Sequence, residues 1–198
     1  MAGGSRDAIL ASVRKSLPST RTPLPDLEPP PGPREPILDR FERSLETLGG
    51  RSWRLGNVAE VISKIAEILP DAKVICSTAP EVRGTIRIEE VNDPRDLAGV
   101  DVGVVRARFG VAETGAVWVT QDDLVVNALA FLPQHIVVLL DPDDLVGDMH
   151  EAYRRARLGD SAYGCFVAGP SATGDIEGVI IRGAQGPRSL SLFLLKRP

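Results

Sequence analysis

The stretch His135-Ile136-Val137-Val138-Leu139-Leu140 has no polar residue after its histidine. A strand with one wet face alternates apolar and polar residues. An unbroken apolar run bounded by turn residues instead predicts a strand covered on both faces, as in a parallel sheet between helices. Leu132-Pro133-Gln134 precedes the run, and Asp141-Pro142 follows it. Beyond it, Pro142 to Leu158 reads as a helix, with Asp143, Asp144 and Asp148 towards its start and Arg154, Arg155 and Arg157 near its end. That polarity suits the helix dipole, and Gly159 is placed to make the left-handed turn at its end. Tyr163 to Ala168 predicts a second buried strand, closed by Gly169-Pro170. Val179 to Arg182 and Leu190 to Leu195 complete the list of strands.

Upstream, Val102 to Thr120 is rich in β-branched residues and predicts two strands joined by an irregular loop around Glu113. Leu124 to Leu132 reads as helical. Lys73 to Ser77 predicts a buried strand, and Thr85 to Glu90 an exposed, alternating one. Before them, Ile37 to Leu48 predicts a helix ended by Gly49-Gly50, and Trp53 to Leu55 a short strand. Asn57 and Glu60 form a capping-box-like pair for a helix that buries Val61, Ile62, Ile65, Ile68 and Leu69. Strands alternating with helices imply an α/β domain: a mostly parallel twisted sheet flanked by helices, with antiparallel pairing near 102–120. At the N-terminus, residues 1–17 hold a helix that Ser5 can cap, with Ile9, Val13 and Leu17 on one face. Residues 18–36 contain eight of the chain's 16 prolines and read as an extended linker. The α/β domain occupies 37–198.

The chain has 198 residues, enough to bury a substantial core without metal or disulfide support. A net charge of -4 argues against nucleic-acid binding through phosphate neutralisation. No segment has the length and apolarity of a membrane span, and residues 1–16 lack the pattern of a signal peptide, so the expected location is the cytoplasm. Two cysteines, Cys76 and Cys165, are too few and too far apart for a four-thiolate cluster. No dinucleotide fingerprint, phosphate-binding loop, nucleophile elbow or metal-spaced histidine pair is present, so no cofactor and no metal are expected.

In parallel sheets, ligands bind beyond the carboxyl ends of the strands, so chemistry is sought in the turns that follow strands. Ala112-Glu113-Thr114-Gly115 joins a carboxylate, a hydroxyl and a flexible backbone. Gly169-Pro170-Ser171-Ala172-Thr173-Gly174-Asp175 offers two glycines, two hydroxyls and successive amides that can form an anion-holding nest. Gly183-Ala184-Gln185-Gly186 lies between the last two strands. These segments predict one cleft containing Glu113, Ser171, Thr173, Asp175 and Gln185. Within it Glu113 and Asp175 are the candidate acid–base pair. Thr114, Gly115, Gly169, Pro170 and Gly186 are candidate ligand contacts. Arg106 and Arg108, two apart on a strand face, are candidate anion contacts. His135, at a strand start, is a further ligand candidate, whereas His150 reads as a surface residue.

Taken in order, Val111-Ala112-Glu113-Thr114-Gly115, Leu132-Pro133-Gln134-His135-Ile136, Gly169-Pro170-Ser171 with Thr173, Asp175, Ile176 and Glu177, and Gly186-Pro187-Arg188 resemble the lactate-utilization protein C family, whose unit is the LUD domain. The resemblance spans about residues 100–195. It implies a fold similar to ribose-phosphate isomerases, glucosamine-phosphate deaminases and CoA transferases. It also implies a non-redox subunit beside iron–sulfur partner proteins that oxidise L-lactate to pyruvate. The family's last motif usually has a histidine where Gln185 stands, and an arginine often found before Leu132-Pro133 is replaced near Asn127. Gln can hydrogen-bond but cannot exchange a proton near neutral pH. Two other readings remain open: a stand-alone protein or enzyme for a phosphorylated or CoA-like small molecule, and a structural assembly module.

Overall fold

The computed structural model describes residues 4–18, 23, 35–157, 159 and 161–197. The chain divides into two compact units, Met1–Pro31 and Gly32–Pro198. In the first, α1 spans Ser5–Ser16 and buries no side chain. Gly4 rather than Ser5 occupies its N-cap, and Ile9, Val13 and Leu17 are exposed. The linker expected over 18–36 lies almost wholly outside the described residues.

The second unit runs α2 (Ile37–Thr47), β1 (Arg51–Arg54), α3 (Ala59–Ile68), β2 (Ile75–Ser77), β3 (Val102–Arg106), β4 (Phe109–Val111), β5 (Ala116–Thr120), α4 (Gln121–Leu124), β6 (His135–Leu140), β7 (Leu145–Val146), α5 (Met149–Ala156), β8 (Gly164–Val167), β9 (Ala172–Ile176), β10 (Val179–Arg182) and β11 (Ser189–Leu194). Five strands form a wholly parallel sheet in the order β1-β11-β6-β3-β2. The apolar run at 135–140 is its central strand. Because successive side chains point to opposite faces, Ile136, Val138 and Leu140 join Phe41 and Leu45 of α2 and Val117 and Val119 of β5 in one core. Val137 and Leu139 join Val61 and Ile65 of α3 in another. Both faces are covered, which is why the run carries no polar residue. A four-stranded sheet, β7-β4-β5-β8, shares the first core, and its other face packs Phe109, Val111 and Trp118 against Ala152 and Ala156 of α5.

The fold is the expected α/β type with a mostly parallel, helix-flanked sheet, but several elements differ. Residues 102–120 make three strands, because the chain leaves the parallel sheet after Arg106 and starts the second sheet at Phe109. Thr85–Glu90 is not a strand: Ile86 bridges Cys76 at a single point, and 88–90 form a 3-10 turn. The helix expected from Pro142 starts at Met149. Asp141 accepts the Asp143 amide in a short 3-10 turn, Leu145-Val146 pair with β4, and Asp148 caps the helix by accepting the Glu151 amide. Arg157, not Gly159, takes the left-handed position closing it. The helix expected at 124–132 is the single turn α4 followed by a 3-10 turn at Asn127–Ala130. Ile62 is exposed on α3, at the margin of the face that buries Val61 and Ile65.

Candidate functional site

The expected single cleft is not what the fold builds. The motif residues separate into three places, and only the two arginines reach the carboxyl ends of the parallel strands.

The first place is the amino edge of the parallel sheet. His135 and Ser189 sit side by side at the starts of β6 and β11, and His135 Nδ1 lies 2.8 Å from the Ser189 hydroxyl. The Ser171 amide donates to the Pro187 carbonyl at 2.9 Å. The Gly183 amide donates to the Ser171 carbonyl, and the Arg188 amide to the Gln134 carbonyl, both at 2.8 Å. These bonds knit 134–135, 171 and 183–189 together. Ser171 and Gly186 therefore do meet, but at the amino ends rather than the carboxyl ends, and Gln185 beside them is exposed. A shallow cavity of about 250 Å³ is bordered here by Asp101, Gln134, His135 and Arg188. Burial first, then the Arg188 charge, holds the His135 imidazole below its ordinary pKa, against the opposing pull of Asp101. The Asp101 carboxylate is kept low by accepting the Val74 and Lys73 amides, each at 2.8 Å.

The second place is the turn between β4 and β5, against α2 and α5. Glu113 is exposed and accepts the Met149 amide at 2.9 Å, so it caps α5 from far away in sequence. Thr114 Oγ1 accepts the Ala116 amide within the turn. Gly115 has φ +66°, and a Cβ there would fall on the Leu45 backbone. Gly169, with φ +68°, meets the same helix further along: its Cβ would lie 2.6 Å from the Leu48 carbonyl oxygen. Only glycine permits both the left-handed backbone and this close approach. Pro170 beside it is buried.

The rest of the expected nest is a hairpin. Thr173 and Asp175 lie on β9, paired with β10, and Asp175 is exposed. Among the described residues no hydrogen bond, ion pair or cavity joins Glu113 to Asp175. Glu113 closes a helix, and Asp175 sits on a solvent-facing ribbon.

At the opposite edge, the carboxyl ends open onto a cleft of about 760 Å³. Arg106 ends β3, Arg108 follows it outside the strand, Thr78 follows β2 and Arg197 lies beyond β11. Arg155 and Arg157, at the end of α5, supply the facing wall. Arg106 and Glu81 are a buried pair, their side chains 11% and 9% exposed, with Nε 2.6 Å from Oε1. The N–H is not aimed along that contact, so Arg106 Nε and Nη2 and Glu81 Oε2 lie out of solvent with no hydrogen bond. Arg108 donates to Asp123 at 2.7 Å and Asp122 at 3.4 Å, and these bonds hold its guanidinium above its ordinary pKa, the Asp123 bond first. Asp123 also accepts the amide and hydroxyl of Thr120, tying α4 to β5. Arg155 and Arg197 share Asp144, and Arg155 lies over the Phe109 ring. Burial, then Cys165, pushes the nearby Tyr163 phenol up to about 12, so it stays protonated at neutral pH.

The α4 turn on this wall ends in strain. Val125 has φ 60° and ψ -55°, and the Val126 amide donates to the Leu124 carbonyl across it. This is a γ-turn of the costly sense, made by a β-branched residue.

Sequence reasoning named Arg106 and Arg108 but missed Glu81, Arg155, Arg157 and Arg197. Thr78 and Arg197 were within reach of it, since each closely follows an apolar run. The α5 arginines were not, because a helix predicted from Pro142 does not reveal which turn its end faces. Among the described residues no group of His, Cys, Asp or Glu is placed to hold a metal ion. No helix among them is long and apolar enough to cross a membrane.

The family model for the LUD domain matches residues 86–195. The chain belongs to the LUD domain family. The match takes in β3 to β11 and leaves out β1 and β2, the outer strands of the parallel sheet. Lactate utilization protein C of Deinococcus radiodurans is 23% identical over 199 aligned positions, 94% of this chain and 93% of that protein. Lactate utilization protein C 1 of Bacillus mycoides is 25% identical over 105 positions, 50% of this chain but only 45% of that protein. An uncharacterized protein of Neisseria meningitidis is 26% identical over half of this chain and 44% of its own length. The LUD fold is also seen in a crystal structure of a DUF162 family protein from Deinococcus radiodurans. That structure superposes with a TM-score of 0.63 over 80% of this chain and 96% of the other, at 19% identity.

Proposed function

We propose that this LUD-domain protein is a non-redox subunit of an iron–sulfur system that oxidises L-lactate to pyruvate in the cytoplasm. The observation that carries the reading is the nearly end-to-end alignment with a protein named lactate utilization protein C. The cysteines support giving electron transfer to partner chains. Cys76 lies in the parallel sheet and Cys165 in the second sheet, and burial pushes both thiols up, away from the thiolate a cluster requires. The partners in this reading are the iron–sulfur proteins of the same system. The ligand site is the carboxyl-end cleft, where Arg106 and Arg108 supply positive charge.

The test is deletion of the gene in its host, followed by growth on L-lactate and on glucose. Growth should fail on lactate alone and return with the wild-type gene. The tagged protein, recovered from lactate-grown cells, should bring iron-containing partners with it. Normal growth on lactate without the gene would overturn the role.

The cleft also favours a second reading, a stand-alone protein for a small organic anion. A wild-type protein that copurifies with no iron-containing partner, but with a bound organic anion, would decide for it.

A further inference from the structure

We propose that the carboxyl-end cleft binds a polar organic anion distinctly larger than a three-carbon acid, with its anionic group held by Arg106 and Arg157. This rests on the reading of the cleft as the ligand site, and holds whether or not the protein serves lactate oxidation.

Charge comes first. Five arginines line the cleft and two aspartates join them, Asp122 and Asp123. Asp144 and Glu81 stand behind the arginines. Among the described residues, four carboxylates thus face five guanidinium groups, and one positive charge is left over. Arg157 is exposed and pairs with no carboxylate among the described residues, so the surplus sits at its end of the cleft.

Unused bonding capacity comes second. Arg106 is buried on the cleft wall, yet two of its nitrogens make no hydrogen bond. Leaving donors of a charged group unbonded out of water is costly. Its ion pair with Glu81 and a 3.4 Å bond from Nη1 to the Leu195 carbonyl keep the guanidinium in place and leave Nε and Nη2 without a hydrogen bond. A turn of the guanidinium about its stem presents those donors to an arriving oxyanion, which the fork can hold bidentately. A carboxylate and a phosphate share this chemistry.

Size comes third. A good small-molecule site buries most of its ligand's surface. A cleft of about 760 Å³ would surround lactate or pyruvate mainly with water. Thr78 and Ser161 also line it; each hydroxyl donates to a backbone carbonyl, of Val104 and Tyr163, and its oxygen keeps the capacity to accept from a body with polar substituents.

Calorimetric titration of the full-length protein with citrate, inorganic pyrophosphate and L-lactate tests this at low and high salt. Saturable binding of citrate or pyrophosphate is expected, weakening as salt rises, with lactate binding at least about tenfold more weakly. Whichever of the two binds better tells a carboxylate preference from a phosphate one. Arg157→Ala, an exposed change, should lower the affinity about tenfold or more. Arg106→Gln with Glu81→Gln, which removes both charges together, should do the same. Wild-type affinity in Arg157→Ala would overturn the proposal even if the paired variant fails to fold. So would lactate binding as tightly as the larger anions, or no binding by any of the three. Failure of the lactate growth test would leave these titrations unaffected.

Discussion

The two edges of the parallel sheet use their residues in opposite ways. At the amino edge, Ser171, Pro187, Arg188 and Gln134 meet through backbone amides and carbonyls, and the nearby Gly169 lets the chain lie against the Leu48 carbonyl. Conformation and backbone bonding account for Ser171, Pro187 and Gln134 there, and the Arg188 charge also acts on the His135 imidazole. At the carboxyl edge, Arg108, Arg155 and Arg197 present charged side chains around an open cleft and Arg106 lies buried in its wall, held by Glu81, Asp122, Asp123 and Asp144. The most recognisable sequence motifs therefore lie where the fold is assembled. The proposed ligand cleft lies where no motif stood out. Backbone-shaping residues such as Gly and Pro leave a local sequence signature, whereas a side-chain cluster drawn from several separate segments of the chain does not.

The sharpest way to break this contrast is at Arg106. Replacing it with Met leaves the Glu81 carboxylate buried without its cation, and a loss of about 3–5 kcal/mol is expected. Adding Glu81→Gln should recover much of that loss. Urea unfolding of the single and double variants measures both, and equal stability of the two would show that the pair is not coupled.

Next in size is Gly115→Ala. The added methyl strains a left-handed backbone and meets the Leu45 backbone, so about 2–5 kcal/mol should be lost, read from the same unfolding curves. An unchanged midpoint would contradict the close approach of this turn to α2.

The carboxylates come third. Glu113→Ala removes the acceptor for the Met149 amide and should cost about 1 kcal/mol. Asp175→Asn, on the exposed ribbon, should change stability by less than about 0.5 kcal/mol. Neither change should alter anion binding in the carboxyl-end cleft. Loss of binding in either would return that carboxylate to the site.

The smallest effect is a pH dependence. The folded state holds the His135 imidazole below its ordinary pKa, mainly through burial. Below about pH 6.5 the unfolded chain therefore takes up a proton that the folded chain resists. Stability should fall as pH drops from about 6.5 towards the folded value, and level off below it. His135→Gln should flatten that part of the profile, seen as a melting temperature that no longer depends on pH there. A profile unchanged by the substitution would assign the dependence to another group.

Much of the fold was legible in the sequence because burial on both faces forces a composition. His135–Leu140 had to be a covered strand, and the amphipathic pattern of 37–48 and the Asn57–Glu60 pair announced α2 and α3. The boundaries that failed were those set by distant partners. Leu145-Val146 is a strand only because β4 lies beside it, and α5 starts at Met149 only because Glu113 and Asp148 cap it there. In the same way, the Thr173–Asp175 segment looked like a ligand loop until β10 paired with it. The sequence by itself determined the fold class, the family and the buried strands, since these depend on local composition and order. Only the tertiary structure decided which end of the sheet each turn occupies and which charges meet there. That assignment follows from strand order and direction: β11 and β3 flank β6 although long stretches of chain separate them, and no local pattern encodes that adjacency.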